Sequence, residues 1–274
     1  MNSNPLVGVL ISVYKADSTD YLRLSLDSIL DQTYKNIHLF VGIDGPVGEN
    51  LYPVLKEYET RENVSVFWHQ VNRGLACVLN DDIAAGVKFG CDFYARMDAD
   101  DIALPDRFEK QLKFLQENPN IDVVGGAIEE IDEYSHPRGK RVDYPLTHEE
   151  CRRFFRYRDP LAHPATFFRK SYFEKSGGYR NEYRKNQDTM LWYDGFLNGC
   201  QFANLNEVVL YFRINDDFFA TRRNGWVRAK KMLTDRMKMN KALHYDISAD
   251  IFAFFMFCMT ISPSWLKRFL YKIR

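Results

Sequence analysis

The chain has no surplus of charge of either sign. Its 274 residues carry 37 lysines and arginines against 37 aspartates and glutamates. A protein that holds polyanions carries a basic excess, so no nucleic-acid partner is expected, and any charged ligand must be met by a local patch. Cysteine is scarce. The five residues Cys77, Cys91, Cys151, Cys200 and Cys258 are scattered, odd in number and form no Cys-x-x-Cys pair. That argues against a disulfide framework or a zinc site and fits free thiols in a reducing compartment. Met1 to Pro5 holds no basic stretch leading into an apolar core, so no secretory signal is expected. The longest apolar run, Ile251 to Ile261, falls short of the roughly 20 residues a spanning helix needs. No G-x-G-x-x-G follows the first apolar segment, which sets a dinucleotide oxidoreductase aside. Internal repeats and low-complexity stretches are also missing.

What is present suits a large α/β fold. Hydrophobic residues make up 46% of the chain and aromatics 15%, enough for a substantial core. Leu6 to Tyr14 is an almost continuous β-branched run and reads as a buried strand of a parallel sheet. Residues 20–32 then space Leu22, Leu26, Ile29 and Leu30 as an amphipathic helix does. Strands over Ile37 to Ile43, Val64 to Trp68 and Phe93 to Met97 alternate with helices over Leu51 to Tyr58 and Leu75 to Val87. The alternation predicts a doubly wound, mostly parallel sheet with helices on both faces. Further on, a helix is expected over Phe108 to Leu115, and strands over Ile121 to Gly126, Ala165 to Arg169 and Val208 to Ile214. Helices are expected from Thr189 and over 226–243, with loops and short elements over 134–160.

In doubly wound sheets ligands bind outside the carboxyl ends of the strands. Asp44 and the group Asp98, Asp100 and Asp101 each follow a strand directly, so they share that edge. Three carboxylates within four residues repel one another and raise each other's pKa unless a cation sits among them. Mg²⁺ or Mn²⁺, held by one or two carboxylates and by substrate phosphates, answers that need. Solvated turns and helix caps also use such triplets, and Asp100 or Asp101 stands where it would cap the helix entered at Pro105. Sugar transfer, nucleotidyl transfer, phosphohydrolysis and a non-catalytic membrane-bound scaffold all stay open at this level.

Several motifs in order carry a resemblance. Val9 to Tyr14, Ser28-Ile29-Leu30-Asp31-Gln32-Thr33-Tyr34, Asp44-Gly45-Pro46 and Asn72-Arg73-Gly74-Leu75-Ala76 come first. Ala95 to Phe108, His163-Pro164-Ala165-Thr166, Gly177-Gly178-Tyr179 and Gln187-Asp188 before Leu191-Trp192 follow. Over about residues 6–215 the chain resembles the family 2 glycosyltransferases of GT-A fold. It looks most like the bacterial branch that builds O-antigen, capsule and exopolysaccharide repeat units. The resemblance implies a catalytic domain over 1–220, with a nucleotide-sugar half over 1–105 and an acceptor half over 106–220. A helical extension over 221–274 would follow.

The same resemblance implies site roles. Asp44 would meet the uracil of a UDP-sugar, above Ser12 and Tyr14 at the end of the first strand. Arg73 and Arg96 would help hold the diphosphate or the base. Asp98 and Ala99 would face the ribose and sugar, and Asp100 would ligate the metal on the diphosphate. Asp188 would be the general base of an inverting transfer that yields a β-linkage; capping its own helix is the competing reading. Gln187 stands where the family usually has Glu. His163, Gly178, Trp192, Arg222 and Arg223 fall on the acceptor or phosphate side. The donor would be UDP-Gal or UDP-Glc, and the acceptor a saccharide on a polyprenyl diphosphate. In the tail, Phe252, Phe254, Phe255 and Phe257 precede Trp265, Lys267, Arg268, Lys272 and Arg274. That mix suits a helix lying in a membrane interface, against the alternative of packing on the core. The expected location is the cytoplasmic face of the bacterial inner membrane.

Overall fold

The computed structural model describes residues 4–214 and 226–262. The apolar runs fold as expected into β1 (Val7–Val13), β2 (Ile37–Ile43), β3 (Val64–Trp68) and β4 (Phe93–Met97). Between them stand α1 (Thr19–Leu30), α2 (Leu51–Glu59) and α3 (Leu75–Phe89). β5 (Ile102–Ala103) and α4 (Arg107–Glu117) follow the acidic turn. The second half adds β6 (Val123–Ile131), β7 (Pro137–Val142), α5 (His148–Phe155), a single 3-10 turn (His163–Ala165) and β8 (Phe167–Arg169). α6 (Lys170–Ser176), α7 (Gln187–Leu197), β9 (Phe202–Arg213), α8 (Trp226–Ala242) and α9 (Ile247–Ile261) follow among the described residues.

One mixed sheet runs β3-β2-β1-β4-β8-β6-β9-β5, with β7 paired to β6. The long pairings β2/β3, β1/β2, β1/β4 and β6/β9 are parallel, and the short ones through β5 and β8 are antiparallel. The order reverses between β1 and β4, and a crevice opens outside their carboxyl ends at such a reversal. There the chain places Ser12, Tyr14 and the acidic turn.

Two differences from the sequence expectation have simple causes. β6 runs on past its glycine pair to Ile131 because β9 crowds it. A Cβ on Gly125 would sit 2.1 Å from Asn204 Oδ1, so the glycine admits a neighbouring strand rather than ending its own. β7 carries five exposed residues in six, without the alternation that reveals a strand.

A buried polar knot ties α4 to the sheet. Gln111 Nε2 donates to Ala165 O at 2.8 Å and lies within bonding reach of Val124 O and Gly125 O. Arg107 is fully buried, donates to Arg96 O and Thr166 O, and meets Gln111 Oε1 at 3.0 Å. Burial pulls its guanidinium down to about 9. Gln111→Ala would strand these carbonyls and open a cavity. It is expected to cost about 2–4 kcal/mol in chemical denaturation.

The C-terminal helices are joined to this body. Met239 and Leu243 enter the core beside Phe155, Leu191 and Phe196. Arg152 donates to Leu243 O at 2.8 Å, Arg236 donates to Phe155 O at 2.8 Å, and Arg156 pairs with Asp246 at 2.7 Å. The tail reading is thereby divided. α9 turns Ala249 and Ala253 inward and leaves Ile247, Ile251, Phe254 and Phe255 exposed. Among the described residues no helix is long and apolar enough to cross a membrane. Trp265 and the basic residues after it lie outside the described residues.

Candidate active site

The acidic turn is held mainly by its backbone. Ser25, Ser28 and Gln32 stand on one face of α1 and its end, at the spacing that aligns side chains along a helix. Ser25 Oγ donates to Asp98 O at 2.8 Å, and Ser28 Oγ accepts from Ala103 N at 3.1 Å. Gln32 donates to Leu104 O at 2.7 Å and accepts from Phe108 N at 3.0 Å, which serves the start of α4. From the other side Arg213, at the end of β9, donates its backbone N–H to Asp101 Oδ1 and its Nε–H to Asp100 O, both at 2.8 Å. Its guanidinium goes on to Asp132 O and Ser135 Oγ, 4.0 Å above the Tyr21 ring. The sequence reading missed Arg213, since its partners in the acidic turn lie 112 and 113 residues away in the chain.

Asp98, Asp100 and Asp101 each bring a carboxylate oxygen within 4.8 Å of the others. Burial, and then the charge of Asp98, push Asp100 up to about 6. Asp101 is 1% exposed, and its Oδ2 lacks a hydrogen-bond partner among the described residues. Burial and its two neighbours hold it well above the carboxylate range. A fourth carboxylate, Asp17, joins them from the loop after β1. Its Oδ2 accepts from Tyr14 N at 2.7 Å. Burial foremost, then the charges of Asp100 and Asp98, raise it to about 6 against that bond. Asp17 reads in sequence as an ordinary loop aspartate. Crowded carboxylates, with Asp17, Asp100 and Asp101 raised and one oxygen orphaned, are a donor set that a hard divalent cation would relieve, so the residues fit Mg²⁺ or Mn²⁺.

The structure corrects several expected roles. Arg96 is not open at the crevice to hold a diphosphate or a base. It is 2% exposed beneath the turn and ion-paired with Asp98, and its Nε and Nη1 are buried without a partner among the described residues. Arg73 turns its guanidinium to Asp81 on α3 at 2.7 Å. Asp44, 5% exposed, accepts from Asn72 Nδ2 and Arg73 N at 2.7 Å and from Gly74 N at 3.0 Å. Three donors on its two oxygens make it the anchor of the 72–74 loop, and the carboxylate keeps acceptor capacity beyond them. Asp101 does not cap α4, whose N-cap is Asp106. Ala99 is buried, Ser12 half-buried and Tyr14 exposed at the crevice.

Of the residues expected on the acceptor or phosphate side, Trp192 is fully buried between Phe168 and Phe202, with no ring face open to a sugar. His163 is buried too, with Nε2 2.7 Å from Tyr179 Oη. Burial, then the Arg96 charge, keep it well below its ordinary pKa, hence neutral. Gly178 has φ +79° and sits where a Cβ would come 2.8 Å from Asn80 Oδ1. It lets the 177–181 turn dock on α3, where Tyr179 N donates to Asn80 Oδ1 at 2.9 Å. Gly178→Ala should therefore strain both backbone and contact. A loss of about 1–3 kcal/mol in thermal or urea unfolding is expected.

Asp188 is the second residue of α7, whose N-cap is Asn186 in the left-handed region, so the capping reading falls. Its half-buried carboxylate accepts from Thr189 N at 2.8 Å, where the helix N-terminus favours negative charge. Gln187 beside it keeps a buried Oε1 with no partner among the described residues. Arg222 and Arg223 lie outside the described residues.

With this geometry in view the comparisons are decisive. The family profile described as "Glycosyl transferase family 2" matches residues 8–177. The chain belongs to that family. It is a glycosyltransferase, and its sheet, flanking helices and acidic cluster are those of the GT-A fold. The amylovoran biosynthesis glycosyltransferase AmsE of Erwinia amylovora is 31% identical over 221 residues, covering 81% of this chain and 80% of that one. An Escherichia coli UDP-Gal:alpha-D-GlcNAc-diphosphoundecaprenol beta-1,3-galactosyltransferase is 29% identical over 224 residues, covering 82% and 79%. Among solved structures, the mannosyltransferase PcManGT of Pyrobaculum calidifontis, with GDP-Man and Mn²⁺, superposes with a TM-score of 0.63 at 14% identity. That match covers 99% of this glycosyltransferase and 80% of the neighbour, and it speaks for the fold alone.

Proposed function

We propose that this glycosyltransferase moves a hexose, with inversion, from a UDP-sugar to a saccharide on a polyprenyl diphosphate during surface-polysaccharide synthesis. The observation that carries it is the carboxylate cluster at the β1/β4 reversal together with Asp188 at the start of α7. UDP-Gal or UDP-Glc is the favoured donor, in keeping with the galactosyl transfer that names the Escherichia coli relative. Asp100 would hold Mn²⁺ or Mg²⁺, with Asp98 beside it and Asp101 closing the site from within. Bound there, the cation would supply charge stabilisation to the departing diphosphate. Arg96 beneath the turn holds Asp98 in place. Asp44 fixes the 72–74 loop, through which the crevice would face the base. Asp188 takes the acceptor hydroxyl proton while that oxygen bonds the anomeric carbon, and the electron pair of the broken bond leaves with UDP. A single displacement on an α-linked donor gives a β-linked product.

The decisive experiment offers the protein each common UDP-sugar with Mn²⁺ and a synthetic lipid-diphosphate GlcNAc or GalNAc, and reads products by mass spectrometry. A saccharide extended by one hexose is expected. Pyrophosphate release or free sugar alone would favour the nucleotidyl-transfer or hydrolytic reading instead. The exposed Ile251, Phe254 and Phe255 of α9 support docking on the cytoplasmic face of the membrane that carries such an acceptor. Phe254→Ser with Phe255→Ser should weaken binding to anionic vesicles at least about tenfold in a sedimentation assay. Unchanged binding would remove α9 from the membrane contact.

A further inference from the structure

One half-buried carboxylate near the base has no part in the scheme above. Asp159 lies on the loop after α5. Thr189 Oγ1 donates to Asp159 Oδ2 at 2.9 Å, while Thr189 N–H donates to Asp188 Oδ1 at 2.8 Å. A single residue thus holds two carboxylates. The other oxygen, Asp159 Oδ1, is buried with no hydrogen-bond partner among the described residues. An unserved buried carboxylate oxygen costs stability, so its presence asks for another reason.

We propose that Asp159 is a positioning residue for transfer: tied to Asp188 through Thr189, it fixes the carboxylate that receives the acceptor proton and tunes its basicity. The inference rests on Asp188 being the base. Asp159 lines a cavity of about 310 Å³ with Tyr183 ahead of α7, Asp235 and Arg236 of α8, and Tyr157 and Arg158 of its own loop. Tyr144 also faces it electrostatically. Among the described residues α9 brings no charged group to that wall. Burial, then the charge of Asp188, push Asp159 up to about 7, against Arg236 and the Thr189 bond. Below about pH 7 Asp159 carries the proton. As pH rises through that value Asp159 ionises, and its charge makes Asp188 the stronger base.

The test is kcat against pH from 5 to 9 at saturating donor, acceptor and Mn²⁺. The parent should show an inflection at about pH 7. Asp159→Asn keeps an acceptor for Thr189 and should lose that inflection, with UDP affinity unchanged by calorimetry. Thr189→Val removes a bond that favours the ionised Asp159, and should move the inflection to higher pH. This second variant carries the test if the first does not fold. Profiles that superimpose on the parent's overturn the proposal. Should Asp188→Asn retain turnover, the base reading falls instead; a dead Asp188→Asn beside an unshifted Asp159→Asn sinks only the role of Asp159.

Discussion

Asp100→Ala is expected to lower kcat/KM for sugar transfer by about three orders of magnitude and to abolish its dependence on Mn²⁺. Asp100 is half-buried and stands between an Asp98 already paired with Arg96 and an Asp101 that is 1% exposed. The backbone of the turn is held independently, by Ser25 and Ser28 from α1 and by Arg213 from β9. Removing this side chain should therefore leave the fold in place. Calorimetry with Mn²⁺ and circular dichroism check the two halves of that statement. Full activity of the variant with metal and donor would place the cation elsewhere.

The second large effect is expected at the base. Asp188→Asn should cut kcat by about 10²–10⁴, the usual contribution of a positioned general base. The amide keeps an oxygen for the Thr189 N–H, so the first turn of α7 should persist. UDP affinity is expected to stay at the parent value, because the carboxylates at the β1/β4 crevice are untouched. A variant that lost UDP binding along with turnover would point to a structural role. One that kept turnover would remove Asp188 from the chemistry.

The first hundred residues were readable because each strand is an apolar run and each helix a 3.6-residue stripe. β1 through β4 fall within a residue or so of their expected bounds. The second half gave weaker signals. β7 is solvated on both faces, and β9 begins at Phe202, where Asn204 and Asn206 interrupt the apolar pattern. α5 announced itself only by the capping box of Thr147 and Glu150. The acidic cluster was legible because its three aspartates directly follow an apolar strand, at the edge where such sheets bind ligands. Their partners were not. Asp17, Asp159 and Arg213 are ordinary charged residues locally, and only the fold brings them to the site. The misjudged side chains err in the opposite sense. Trp192, His163 and Arg96 carry chemistry by type but are spent inside the core.

The crowding at the turn also makes the protein's pH response depend on what it holds. Asp17 and Asp100, at about 6, and Asp101 bind protons more tightly when folded than in an unfolded chain, where carboxylates titrate near 3.8. Without metal, then, the contribution of Asp17 and Asp100 is fully present below the unfolded value and is lost as pH rises through about 6, while that of Asp101 persists to higher pH. A cation that must displace those protons binds more tightly in the same direction. Unloaded and loaded protein should therefore show opposite stability slopes between about pH 4 and 6, and metal loading should release protons into a weakly buffered solution.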